Sequence, residues 1–246
     1  MINVTNPSES KNHSEREASK EYWNHNIEKW GKLYLEISHS EERLNAPRWL
    51  EFLYHRMITP IEARLMTKRF NLTMQFIEQY IKSDMVAVDL GCGTGIFSVE
   101  MLKRGASVVA VDYAQSSLDL TRKAVEELAP NLTNRIKYLL ADVTYQPLPY
   151  SDIVLVMGVT PYVENISNFF ENILPNTQML YCLFLDPKHW ANRVRKYIPV
   201  LNVRNLNCFD KAIIDDLYLK YEWNLINRKK FASGYLDLAA SKKRIQ

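Results

Sequence analysis

The chain has 246 residues, 47% of them hydrophobic and 24% charged, with a net charge of only +3. This mixture can bury a sizeable core, and it excludes collagen-like, disulfide-scaffold and wholly disordered chains. The charge is too small to argue for a nucleic-acid partner. No apolar run approaches the ~20 residues of a membrane helix, so no membrane partner is expected. The polar first twenty residues lack the apolar core of a secretory signal. Three cysteines without a CxxC pair, Cys92, Cys182 and Cys208, read as reduced thiols, and the expected location is cytoplasmic.

In chain order, residues 1–20 carry almost no apolar content and are expected to form a disordered tail. Residues 21–80 form the next unit, a helical cap. Tyr22, Trp23, Ile27, Trp30, Leu33 and Ile37 recur near the 3.6 period, and Pro60 lies where it would start or kink a second helix across Trp49–Arg69. No strand signal precedes residue 84.

From there the pattern changes. Met85–Leu90 reads as a buried strand, followed by a glycine-rich turn and a helix over Ile96–Arg104 that Gly105 can cap. Ser107–Val111, Ile136–Leu140, Ile153–Met157 and Gln178–Leu185 read as four further strands. Helices are predicted over Ser116–Leu128, Val163–Leu174, Lys188–Ile198 and Ala212–Tyr221. Trp223–Arg228 and Tyr235–Ala239 read as a closing hairpin, with an antiparallel strand at the sheet edge. Residues 226–246 sum to +5, leaving −2 for the rest, and read as a solvated hairpin with a basic tail at 242–246.

Strands that are apolar throughout and alternate with helices indicate a parallel sheet covered on both faces. The fold class is therefore α/β: a doubly wound sheet, mostly parallel with an antiparallel terminal hairpin, spanning 81–241 behind an N-terminal helical cap.

Three of the seven glycines, Gly91, Gly93 and Gly95, fall within five residues between the first strand and its helix. Glycines there let the backbone turn tightly and let a ligand approach the main chain. The helix start supplies unpaired N–H groups. Asp112 closes the second strand, 21 residues after Gly91, where a carboxylate can accept both ribose hydroxyls. A dinucleotide fingerprint G-x-G-x-x-G would place its third glycine at Ile96. Here it stands one position early, with acidic Asp89 two positions before the first glycine.

The run Val88-Asp89-Leu90-Gly91-Cys92-Gly93-Thr94-Gly95 resembles the first motif of class I S-adenosylmethionine-dependent methyltransferases, whose fold is Rossmann-like. The resemblance extends over about residues 81–241 and implies S-adenosylmethionine as cofactor. It implies cofactor-binding roles for Asp89, Gly91, Gly93 and Gly95, for Asp112 at the ribose, and for Tyr113 and Asp142-Val143 at the adenine. The fourth strand, ending at Met157-Gly158, is expected beside the cofactor. Taken singly, Asp112 and Asp142 read better as caps, and Cys92 as a packing residue; their joint placement behind the glycine motif favours the cofactor roles. A dehydrogenase remains the rival class.

Methyl transfer from a sulfonium needs no protein nucleophile, so catalytic residues are hard to read. The chain lacks the Asn/Asp-Pro-Pro-aromatic run of base- or glutamine-methylating enzymes, having Thr160-Pro161-Tyr162 instead, and no histidine pair suits a metal. The expected acceptor is a small polar metabolite bearing phosphate or another anionic group, such as a sugar or nucleotide-sugar, methylated at oxygen. Alternatives are an amino sugar or small amine methylated at nitrogen, or a silent cofactor-binding protein. His189 is the first candidate base and Tyr162 the second. Arg193 on the helix after strand five, with Lys196 on the same face, and His55 and Arg56 in the cap are candidates for acceptor binding. Oligomeric state is not legible.

Overall fold

The computed structural model describes residues 59–197 and 206–242. The predicted tails, the first cap helix and the candidate ligands His55 and Arg56 lie outside those residues.

A 22-residue helix, α1 (Thr59–Tyr80), comes first, with Pro60 in its first turn, where a missing N–H costs nothing. It leads into β1 (Val86–Leu90), α2 (Ile96–Lys103), β2 (Ser107–Asp112), α3 (Gln115–Leu128) and β3 (Ile136–Leu140). The second half is β4 (Ser151–Val156), α4 (Ile166–Ile173), β5 (Thr177–Leu185), α5 (Trp190–Tyr197), α6 (Lys211–Lys220), β6 (Trp223–Phe231) and β7 (Gly234–Ser241). All seven strands join one sheet in the order β3-β2-β1-β4-β5-β7-β6. The first five are parallel, whereas β7 runs antiparallel to both β5 and β6. The architecture is the expected Rossmann-like doubly wound sheet.

The terminal hairpin departs from expectation in its placement. The antiparallel strand is not at the edge: β7 inserts between β5 and β6, leaving β6 outermost. Every residue of β7 is buried, while most of β6 is not. A strand covered on both faces pairs on both sides, and the Arg- and Lys-bearing strand takes the edge, where charge discourages further pairing.

Alternating strand residues separate two cores. On one face Ala87, Val108, Ala110, Ile153 and Tyr181 pack with α1, α2 and α3, and the Phe76 ring stacks on Tyr181 at 4.1 Å. On the other, Val88, Val111, Val154, Leu180 and Phe184 pack with Phe169 and Phe170 of α4 and Leu217 and Tyr218 of α6.

Four helices begin later or earlier than predicted; α3 starts one residue early at Gln115, and a side-chain cap sets the start of each of the other three. Asn165 accepts from the amides of Ser167 and Asn168, so α4 starts at Ile166 after a short 3-10 turn at Thr160–Tyr162. Asp210 accepts from the Ala212 amide, starting α6 at Lys211. The His189 ring accepts from the Ala191 amide, so α5 starts at Trp190 rather than Lys188. On α5, Trp190 and Val194 are exposed, and Asn192 is buried, its Nδ2 donating to the carbonyls of Asp186 and Ser233.

Candidate functional site

Parallel strands deliver their following loops to one end of the sheet, and the chain reverses its direction of travel between β1 and β4. A crevice opens at such a switch point, and ligands bind there. The loops after β1, β2, β3, β4 and β5 carry nearly every predicted site residue within the described chain.

The glycine loop is built against β2 and α3. The amides of Gly91 and Cys92 both donate to the Val111 carbonyl, and the Gly95 amide closes a turn on the Cys92 carbonyl at 2.9 Å. Gly95 adopts φ 77°, and a Cβ there would stand 2.7 Å from the Thr121 backbone. Gly91, at φ 73°, faces Val159 of the β4 loop, whose Cγ2 would meet a Cβ at 2.2 Å. Both glycines are therefore required by backbone conformation and by close approach. The Thr121 hydroxyl lies 3.2 Å from the Cys92 sulfur and 3.3 Å from the Gly93 carbonyl, fastening the loop to α3. Burial pushes the Cys92 thiol well up, which suits packing rather than attack.

Two buried carboxylates flank this loop. Asp112 accepts from the Gly93 amide at 3.2 Å through Oδ2 and from the Ala114 amide at 3.0 Å through Oδ1. Burial raises its pKa above the ordinary carboxylate value, opposed by these amide bonds and the Ser117 side chain. The Tyr113 amide bonds to it as well, so a bound hydroxyl would share or displace one of these partners. Asp89 accepts from the Ser98 hydroxyl at 2.6 Å. Burial pushes it up to about 6, with the Ser98 bond pulling down and the Asp112 charge pushing up.

The β3 loop joins them. The Ala141 amide donates to the Asp112 carbonyl, Asp142 accepts from the Thr144 amide through Oδ1, and Asn172 of α4 donates to the Val143 carbonyl. Val143 is buried and Tyr113 half-buried beside them. Met157 is half-buried at the end of β4, packed on the α1 side of the sheet.

The loops after β4 and β5 are stitched together. The Thr160 hydroxyl donates to the Leu183 carbonyl, and the Asn207 amide to the Pro161 carbonyl at 2.7 Å. The Asn207 side chain donates to Val163, and the Phe209 amide to Leu185. Tyr162 is half-buried in this turn. His189 is half-buried too, its Nδ1 held by the Ala191 amide at 3.2 Å, while Arg193 is exposed. Among the described residues, no three His, Cys, Asp or Glu side chains gather as metal ligands. Ser98, Thr121, Val159 and Asn207 were not legible as site residues, because each acts through a partner distant in sequence.

S-adenosylmethionine fits these features. Gly91 and Gly95 leave no room for a Cβ, and Asp112 at the end of β2, Tyr113 after it and Val143 after β3 border their loop. Residues 88–174 match the family model described as a methyltransferase domain. A ubiquinone biosynthesis O-methyltransferase of Schizosaccharomyces pombe is 33% identical over 114 residues, covering 44% of this chain and 41% of that protein. A magnesium-protoporphyrin O-methyltransferase of Rhodobacter capsulatus is 36% identical over 75 residues, covering 30% and 32%. The match thus spans less than half the length of these curated relatives. The crystal structure of magnesium protoporphyrin IX methyltransferase from Synechocystis PCC 6803, with bound S-adenosylhomocysteine, superposes with a TM-score of 0.69 at 14% identity, over 93% of this chain and 100% of that one. The segment that matches the methyltransferase-domain model, residues 88–174, carries the glycine loop and Asp112, and the sheet around it has the Rossmann-like fold of the methyltransferase structures it resembles.

Proposed function

We propose that the protein transfers a methyl group from S-adenosylmethionine to an oxygen of a small, polar, anionic metabolite in the cytoplasm, without a nucleic-acid or membrane partner. The observation that carries the reading is the Asp112 carboxylate at the end of β2, bonded to the glycine loop through the Gly93 amide. The cofactor, when bound, supplies an electrophilic methyl on a sulfonium, and displacement needs alignment and exclusion of water more than it needs a protein nucleophile. Oxygen as the acceptor atom is supported by two groups of relatives whose names specify O-methyltransferases. A sugar, nucleotide-sugar or other phosphate-bearing compound remains the acceptor class proposed, with Arg193, His55 and Arg56 lending positive charge around it.

If the acceptor is a hydroxyl, Tyr162 and His189 are the groups proposed to handle its proton. With Nδ1 accepting from Ala191, the neutral His189 ring carries its hydrogen on Nε2. Removing a proton would require exchanging that tautomer and releasing the α5 cap. Tyr162 therefore stands first, and His189 serves better as an Nε2–H donor. A pH–rate profile separates them: Tyr162→Phe should lower the rate and alter an ionisation limb, whereas His189→Ala should change the rate without moving a limb.

A second reading has support too. A 4+2 cyclase shares the fold with a TM-score of 0.57 over 70% of this chain, so the architecture also serves chemistry other than methyl transfer. Mass spectrometry of products from a metabolite panel supplied with S-adenosylmethionine decides between them. A product heavier by one methyl supports the proposal, and an O- or N-linked methyl distinguishes the acceptor atom. Saturable cofactor binding with no transfer to any candidate overturns it in favour of a silent binder.

A further inference from the structure

Tyr162 sits on a turn too short to hold itself. The 3-10 segment Thr160–Tyr162 has three residues, with Pro161 in its first turn, and so short a helix is marginal alone. Within it the Tyr162 amide donates to the Val159 carbonyl, and the Val163 amide to the Thr160 carbonyl. Asn207, 44 residues beyond Val163, adds two bonds from outside. Its amide donates to the Pro161 carbonyl at 2.7 Å, and its Nδ2 donates to the Val163 carbonyl at 3.0 Å. One residue thus grips the carbonyl before Tyr162 and the carbonyl after it. Asn207 is moored in turn: the Phe209 amide donates to the Leu185 carbonyl at 2.9 Å, and the Phe209 carbonyl accepts from the Tyr235 hydroxyl at 3.0 Å.

These bonds fix the peptide planes around Tyr162, and fixed planes set the direction in which its side chain leaves the backbone. Thr160, Pro161 and Val163 are buried, whereas Tyr162 is half-buried, so the turn anchors its neighbours and leaves the phenol part open at the site end of the sheet. The residue before the turn, Val159, meets the glycine loop at Gly91, which ties the placement of the phenol to that loop. A misplacement of about 1 Å in such a position can cost a rate about a hundredfold. We propose that Asn207 is the positioning residue of Tyr162: its two donors aim the phenol into the crevice, and it acts on the rate through Tyr162 alone. This rests on the reading of Tyr162 as the group that handles the acceptor's proton, and names what holds it there.

The test follows the phenol itself. The full chain, carrying fluorotyrosine in place of Tyr162, is observed by fluorine NMR alone and with saturating S-adenosylhomocysteine. Asn207→Asp keeps the size and the backbone amide but loses the side-chain donor, and Asn207→Ala loses the donor without adding charge. Asn176→Asp is the control, since it removes a matching Nδ2 bond, to the Leu148 carbonyl at 2.9 Å, at the opposite end of β5. The parent should give one narrow resonance that moves when S-adenosylhomocysteine binds. Both Asn207 variants should broaden or split it and lose that response, while Asn176→Asp matches the parent. Calorimetric affinity for S-adenosylhomocysteine should stay within about threefold throughout. With the acceptor that the metabolite panel identifies, both Asn207 variants should lower kcat at least about tenfold, with KM for S-adenosylmethionine within about threefold. Asn207→Ala added to Tyr162→Phe should slow the reaction by less than about twofold more. An unaltered resonance in both Asn207 variants, or a full multiplicative loss in the double variant, would overturn the proposal and leave the methyltransferase reading in place. So would a parent resonance indifferent to bound S-adenosylhomocysteine, or loss of that binding in both Asn207 variants. Failure of the parent to bind S-adenosylhomocysteine, or to methylate any acceptor, would instead defeat the underlying reading, and this inference with it.

Discussion

At the scale of single residues, the two carboxylates beside the glycine loop play different parts. Asp112 joins the Gly93 and Ala114 amides, so it shapes the loop, and on the proposed reading it also meets the cofactor's ribose. Asp112→Ala should therefore weaken S-adenosylhomocysteine binding by about 1.5–3 kcal/mol, the cost of losing charge-assisted hydrogen bonds, measured by calorimetry. Unchanged affinity would reduce Asp112 to a cap. Asp89 makes a prediction about pH. Its folded pKa, raised by burial from 3.8 to about 6, means that the folded state holds a proton that the unfolded chain has already released. Its stabilising contribution is thus complete below about pH 4 and lost as pH rises through about 6, by up to about 3 kcal/mol. Asp112 and Asp237 are shifted in the same direction, so the informative quantity is the difference between parent and Asp89→Asn. Denaturation curves from pH 4 to pH 7 should show the parent losing more stability than the variant. Parallel pH dependences would show that the Asp89 shift is not real.

Elements are held in place by contacts that act across the sequence. Gly234 opens β7 opposite Leu185, and a Cβ there would lie 1.9 Å from the Phe184 carbonyl oxygen. Gly234→Ala should destabilise the protein by about 3 kcal/mol or more, since backbone rather than a flexible side chain blocks the methyl. A variant as stable as the parent in urea would show that β5 and β7 can separate freely. Asn165→Ala, by contrast, removes one cap and should cost about 1 kcal/mol. These two sites also show what the sequence reveals. Strands such as Val86–Leu90 and Ile153–Val156 are legible because burial on both faces leaves a continuous apolar run. The start of α4 is not, because apolar Val163 continues the helical pattern while Asn165 supplies the cap that ends it. The position of β7 inside β6 was hidden for another reason: hairpin pairing is local, but the choice of which strand meets β5 is made by the whole sheet.

For the molecule as a whole, the topology brings five loops to one end, and the site is assembled from segments that are distant in sequence. The glycine motif and Asp112 at the end of β2 were legible because a tight turn and, on the proposed reading, a ribose contact restrict residue type at fixed spacing. The acceptor side was not, because methyl transfer asks for shape and alignment, which any number of side chains can supply. The central claim is that this crevice holds S-adenosylmethionine. Calorimetric titration of the full chain with S-adenosylhomocysteine and, separately, with NAD tests it most directly. The account predicts saturable one-to-one binding of S-adenosylhomocysteine and none of NAD; saturable binding of NAD alone would contradict it.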